Sequence, residues 1–153
     1  MKREDTMIIS LLREDSRMSL TKMSRLTKIP VSTIYEKIRT FNKGAIRKHT
    51  SIVDFSQFGY NTKANVLMKA KKTNLQQLRE QLIICPYLNN LYRVNNGFDF
   101  MAEFIFKTAK EMEEYLETMG KKFELEKEEV YYVVDEIKRE EFMSKHKWLM
   151  MEN

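Results

Sequence analysis

Three short runs of apolar residues at helical spacing open the chain. In the first, Met7, Ile8, Leu11 and Leu12 fall on one helix face, and Glu14-Asp15-Ser16 breaks the pattern. In the second, Leu20, Met23 and Leu26 make the stripe, with Ser19 placed as the N-cap. Pro30 restarts the chain, and the third run carries Ile34, Ile38 and Phe41 on its inner side. Opposite them lie Ser32, Glu36, Arg39 and Lys43, with Tyr35 and Thr40 on the flanks; Gly44 is placed to end the helix. Two helices joined by a tight turn, the second polar and basic outside, predict a helix-turn-helix whose second helix enters a DNA major groove. The stretch from Ala45 to Phe55 reads as extended, with Arg47, Lys48 and His49 at a tight hairpin forming a phosphate-contacting wing.

Turn residues between Ser56 and Asn61 set a domain boundary near residue 60, and a different rhythm follows. Ala64, Val66, Met68 and Ala70 alternate as on a strand. Leu75, Leu78 and Leu82 are spaced for a helix behind Asn74 as cap. A second strand, "YLNNLYRV", meets the turn signal "NNG", and Phe98, Phe100, Ala102, Phe104 and Phe106 then alternate strictly. A helix with Met112, Leu116, Met119 and Phe123 as its stripe precedes a last strand in "EEVYYVVDEI". The order strand, helix, strand, strand, helix, strand predicts a ferredoxin-like βαββαβ domain. The fold class is thus α+β: a winged helix-turn-helix over 1–60, the ferredoxin-like domain over 61–141, and a tail over 142–153. With both helices on one sheet face, the other face, expected to be rich in aliphatic and Tyr side chains, calls for a partner sheet. The tail holds an apolar cluster from Trp148 to Met151, read as a short docked helix or a contact with a partner subunit.

Charge sharpens this division. Residues 1–63 carry 13 Lys/Arg against 6 Asp/Glu, a net +7, whereas residues 64–153 carry 14 against 16, a net −2. Between Arg17 and Lys48 nine basic residues face a single acid, Glu36. That asymmetry points to a polyanion for the first half. The single cysteine, Cys85, rules out an internal disulfide and a multi-Cys zinc site, and reads as a buried small hydrophobe. No apolar run approaches the ~20 residues needed to span a bilayer. A cytoplasmic protein is expected, with no membrane partner, no cofactor and no metal. Runs such as "KEMEEYLE" and "ELEKEE" read as solvated faces, and no phosphate-binding loop, dinucleotide fingerprint or nucleophile triad is present.

The residues also carry a family resemblance. Asp15, Arg17, Leu20, Ser24, Thr33, Ile34, Lys37, Ile38, Gly44 and Ile46 match the opening segment of the Lrp/AsnC, or feast/famine, regulators. "IVDFSQFGYN", "VNNGFDFMAEF" and "VYYVVDEIK" are similar to that family's interdomain link, Gly-containing turn and last strand, so that the resemblance covers roughly residues 5–140. It implies operator binding through the third helix, a homodimer joined through the ferredoxin-like sheets, and further assembly into tetramers or octamers. It also implies an amino acid or related small molecule bound where dimers meet, around the Gly-containing turn. Three departures stand out. Glu36 and Lys37 occupy the place of two adjacent basic residues, and the interval to Gly44 is one residue short. Asn96 stands where the family has Gly, which puts the effector contacts in doubt.

The expected DNA-contacting set is therefore Ser32, Thr33, Tyr35, Glu36, Lys37, Arg39, Lys43, Arg47, Lys48 and His49 on double-stranded DNA. Tyr35 reads equally well as a half-buried flank residue, and Glu36 as an i,i+3 partner of Arg39. His146 lies in the basic tail. The expected effector set is Asn95, Asn96, Gly97 and Asp99, with a plain hairpin turn as the competing reading. Two other functions fit the architecture. One is a siroheme decarboxylase-like enzyme, which would need His and Arg around a large anionic tetrapyrrole. The other is an architectural DNA-binding protein that answers to no effector.

Overall fold

The computed structural model describes residues 2–144. They form two compact units, one running up to Ile52 and joined by the stretch that begins at Ile137, the other spanning Val53–Glu136. The apolar tail cluster from Trp148 to Met151, and His146, lie outside the described residues.

The first unit holds α1 (Arg3–Glu14), α2 (Leu20–Thr27) and α3 (Val31–Phe41). Ile8, Leu11, Met23, Ile29 and Ile34 are its buried core, with Leu12, Met18, Leu20, Ile38 and Phe41 packed around them. The Ser19 hydroxyl caps α2 by accepting from the Lys22 amide. Lys28, left-handed at φ 63°, ends it. Thr27 ties the turn down: its hydroxyl donates to the Met23 carbonyl and accepts from the Ile29 amide. Leu26, expected in the α2 stripe, is 46% exposed. An eight-residue helix centred on Met23 buries the flank toward Leu20 and Thr27 and leaves the other flank open; Ile29, just past the turn, fills the core instead. The stretch near residue 140 belongs to this unit because the Arg13 guanidinium donates to the Glu140 carbonyl at 2.8 Å and to its carboxylate at 3.0 Å.

The expected wing does not form. Residues 46–54 pair with no strand. The chain instead turns back on α3, the Ile46 amide donating to the Phe41 carbonyl and the His49 ring bonding the Asn42 amide oxygen. A lone two-stranded hairpin is marginal in water, and nothing here backs one. Nor does Gly44 end α3 in a left-handed turn; the helix stops at Phe41, with Asn42 as cap in ordinary helical geometry.

The second unit begins with a single 3-10 turn, Phe55–Phe58, capped by Asp54 and closed by Gly59 at φ 81°. Then come β1 (Thr62–Ala70), α4 (Leu75–Ile83), β2 (Leu88–Arg93), β3 (Phe100–Phe106), α5 (Ala109–Phe123) and β4 (Leu125–Tyr132). The sheet order is β2-β3-β1-β4 with every neighbour antiparallel, the ferredoxin-like arrangement. Ala64, Val66, Met68, Ala70, Phe100, Ala102, Phe104 and Phe106 form its inner layer, covered by Leu78 and Leu82 of α4 and the Met112-Leu116-Met119-Phe123 stripe of α5. Cys85 is buried, as expected, and accepts a hydrogen bond from the Tyr115 hydroxyl at 3.1 Å. Burial, then that contact, push the Tyr115 phenol well above its ordinary pKa.

Three local expectations fail in this unit. Asn74 does not cap α4 with its side chain, which donates to the Phe123 carbonyl instead. Phe98 precedes β3 and lies under the Lys127 ammonium, 4.3 Å from its ring centre. And β4 starts at Leu125, so the "ELEKEE" run is an edge strand rather than a loop, entered straight from left-handed Glu124. A charged edge suits that position, since it discourages unwanted strand pairing.

Candidate nucleic-acid interface

Helix α3 presents what its buried stripe leaves outside. Ile34 is fully buried, and Ser32, Tyr35, Glu36, Arg39 and Thr40 are exposed, Tyr35 by 56%. Thr33 is half-buried in the first turn, beyond Pro30, which supplies no side-chain cap. Glu36 and Arg39 form the i,i+3 pair, 3.6 Å apart and both more than half exposed; in water such a pair contributes little. Lys43, Arg47 and Lys48 are exposed and, like Lys22 and Arg25 of α2 and Lys28 at its end, engage no acidic partner among the described residues. The last three are missing from the expected site. The charge count between Arg17 and Lys48 already contained them, and helix-turn-helix geometry sets the helix before the recognition helix across the phosphate backbone.

Lys37 is placed differently. Its ammonium sits 2.6 Å from Asp5 Oδ1 and 3.4 Å from Glu4 Oε2, both in the first turn of α1, and the side chain is 20% exposed. The hydrogen bond from Lys37 holds the Asp5 carboxyl below its ordinary range, and the same bond holds the Lys37 ammonium above its own. A carboxyl with a depressed pKa stabilises the fold above its ordinary range and loses that contribution as pH falls through the lowered value. The pair is therefore intact at neutral pH.

The turn between β2 and β3 is built around Asp99. One carboxylate oxygen accepts from the Ala70 amide at the end of β1, the other from Arg93 at the end of β2, each at 3.2 Å. The Asp99 amide donates to the Met68 carbonyl, and its carbonyl accepts from the Val94 amide. Asn96 and Gly97 both take left-handed backbone, φ 61° and 87°. Asn tolerates that region better than most residues. Asn95, Asn96 and Gly97 are exposed at the tip.

Comparison with known proteins now identifies the chain. No family model matches it. An HTH-type transcriptional regulator of Pyrococcus horikoshii, itself uncharacterised, is 31% identical over 119 residues, covering 76% of this chain and 75% of that protein. The HTH-type transcriptional regulator FL11 of Pyrococcus furiosus is 28% identical over 117 residues, 76% of this chain and 78% of its own length. LrpC of Bacillus subtilis shares the fold at TM-score 0.81 and 20% identity, over 90% of this chain and 97% of that one. A transcriptional regulator of Neisseria meningitidis, solved with L-Met, does so at TM-score 0.83 and 12% identity, over 91% and 93%. The chain belongs to the Lrp/AsnC family of HTH-type transcriptional regulators. It is a DNA-binding regulator of that type, and none of these relatives supports the tetrapyrrole enzyme reading. No helix among the described residues is long and apolar enough to cross a membrane.

Asp99→Ala leaves the Ala70 amide and Arg93 without an acceptor. A loss of about 1–3 kcal/mol in unfolding free energy is expected, measured by urea denaturation with no small molecule present.

Proposed function

We propose that the outer face of α3, with the cations around it, is the operator-binding surface, and that the protein binds operator DNA as a homodimer. One observation carries this: Ser32, Tyr35 and Arg39 stand exposed on a helix flanked by six cations, Lys22, Arg25, Lys28, Lys43, Arg47 and Lys48, that have no acidic partner among the described residues. In this reading Arg39 exchanges the solvated Glu36 for a guanine edge, to which a guanidinium bonds bidentately. Ser32, Thr33 and Tyr35 bond phosphate or base edges beside it, while Lys43, Arg47 and Lys48 neutralise phosphates from the segment after α3 and His49 hydrogen-bonds there. The three cations of α2 and its end join them on the backbone.

Dimerisation is assigned to the sheet face opposite α4 and α5. Leu67, Met101, Tyr92 and Tyr131 lie on it, and Leu67 and Met101 are cross-strand partners. The face is less apolar than the sequence suggested. Lys63, Asn65 and Glu103 alternate with those residues, and Glu103 accepts amide hydrogen bonds from Asn89 and Asn90. Two such faces packed together bury the apolar rows and set the polar ones in register. Assembly of dimers into tetramers or octamers follows the family pattern.

The effector response is proposed to be altered or absent. The Neisseria relative was solved with L-Met. Here both carboxylate oxygens of Asp99 already have protein partners, and Asn96 adds a side chain at the place of the family Gly. A small molecule would have to be held by Asn95, Asn96 and the Gly97 backbone.

Three measurements test these assignments. Removing a phosphate contact lowers the log–log salt slope by about 1. Lys48→Ala is expected to do so on all sequences alike, while Arg39→Ala relaxes base preference; an unchanged operator affinity and slope in the double variant refutes the surface. Sedimentation equilibrium of the full chain at micromolar concentration is expected to give a dimer or larger, and a monomer refutes the sheet interface. Calorimetry against the twenty amino acids is expected to show no micromolar binding by the wild type. Micromolar leucine, lysine or glutamine binding that is lost on changing Gly97 would mean that the turn works as in its relatives.

A further inference from the structure

We infer that the acidic first turn of α1 masks one cation of the recognition helix, Lys37, and so restrains binding to non-operator DNA. The inference rests on the assignment of the outer face of α3 to DNA. An open groove of about 550 Å³ runs between the start of α1 and that face, with Lys2 and Asp5 on one side and Ser32, Glu36 and Thr40 on the other. Lys37 forms part of its wall, yet its ammonium is turned to Asp5 at 2.6 Å and Glu4 at 3.4 Å rather than outward. Asp5 is bound in turn by the Lys2 amide, so the masking carboxylate is itself fixed at the helix start. Two acids thus hold one base, on the helix that meets a polyanion, while the cations of α2 and of the segment after α3 have none among the described residues.

The consequence follows from counterion release. Sequence-independent affinity grows with the number of phosphates neutralised, each adding roughly 0.9 to the salt slope on duplex DNA. A lysine held by two carboxylates adds nothing to that count. Base readout by its exposed neighbours is untouched, so the ratio of operator to random binding rises. Lys37 then acts as a positioning residue, linking α3 to α1, and not as a phosphate contact.

A mutant cycle on the full-length protein separates this from simple charge removal. Binding to a random-sequence duplex is measured from about 50 to 200 mM salt for the wild type, Lys37→Gln, Glu4→Gln/Asp5→Asn, and the triple variant. Lys37→Gln is expected to leave the wild-type slope unchanged. Glu4→Gln/Asp5→Asn is expected to bind random duplex more tightly, with a slope steeper by about 1, and to show a smaller operator-to-random ratio. Adding Lys37→Gln to that double variant should remove the extra slope. A Lys37→Gln effect that is equal in both backgrounds, whether zero or about 1, overturns the inference. If the double variant does not fold, a slope lowered by Lys37→Gln alone still overturns it, and an unchanged one supports it. Failure of the underlying surface assignment would look different: neither Arg39→Ala nor Lys48→Ala would then alter DNA binding.

Discussion

Burial of Ile34 decides what the first unit can show to DNA. A helix advances about 100° per residue, so once Ile34 is set against Ile8, Leu11 and Met23, the directions of all the other α3 side chains are fixed. Ser32, Glu36 and Arg39 point roughly opposite. Lys37 lies about 60° from the buried direction, on the side of α1, and there it finds Asp5. Burial sets the order of cause. Fully burying an aliphatic side chain contributes about 1.5–3 kcal/mol, whereas the part-buried Lys37–Asp5 pair can form only where that burial has already set Lys37 beside α1. The apolar stripe therefore orients the helix, and the ion pair only selects among the rotamers that orientation leaves to Lys37.

The second unit obeys the same rule in two dimensions. β1 is the interior strand shared by β3 and β4, and its inward residues, Ala64, Val66, Met68 and Ala70, are small or unbranched at the γ position. The large side chains come from β3, where Phe104 meets Tyr115 of α5 edge-on at 5.7 Å. Small on one strand and large on the next lets both helices seat on one face without voids. The opposite face is set by the alternation alone. It receives what the other parity holds, an interleaving of Leu67, Met101 and Tyr92 with Lys63, Asn65 and Glu103. A carboxylate on such a face is costly to bury without donors, and Glu103 has them in the Asn89 and Asn90 amides.

Periodicity made most of this legible before any coordinates. The stripes of α1, α3 and α5 and the alternation in β1 and β3 read directly, because each is long enough to fix its period. What escaped was short or non-local. Leu26 was placed inside because an eight-residue helix has too few turns to tell a stripe from its flank. The charged start of β4 looked like loop because an edge strand does not need apolar alternation on both faces. The wing is expected from Arg47-Lys48-His49 by position after the helix-turn-helix, but the segment turns back on α3 through the Ile46–Phe41 and His49–Asn42 bonds and pairs with no strand. The partner of Lys37 was unreadable, since Asp5 is 32 residues away and on another helix. The cations of α2 and its C-cap, by contrast, lie in plain view between Arg17 and Lys48, and only the placing of that helix across the backbone gives them a role.

The turn at 95–99 joins a demanding backbone to an uncharged, exposed tip. Successive left-handed residues are needed at 96 and 97, and Asn-Gly meets that need nearly as well as Gly-containing alternatives. The backbone is therefore preserved, and Asp99 can reach both the Ala70 amide and Arg93, fastening the ends of β1 and β2 to the start of β3. That fastening engages each Asp99 oxygen once, with the Ala70 amide on one and the Arg93 guanidinium on the other. A Cβ at Gly97 would meet no atom within 4 Å, so the tip is open space rather than a close-fitting cradle. In a single chain the turn is then a brace first. Whatever it recognises must be held by the exposed amides of Asn95 and Asn96, which offer donors and acceptors but no charge. The charged groups of the turn, Asp99 and Arg93, lie below that tip and are paired with each other.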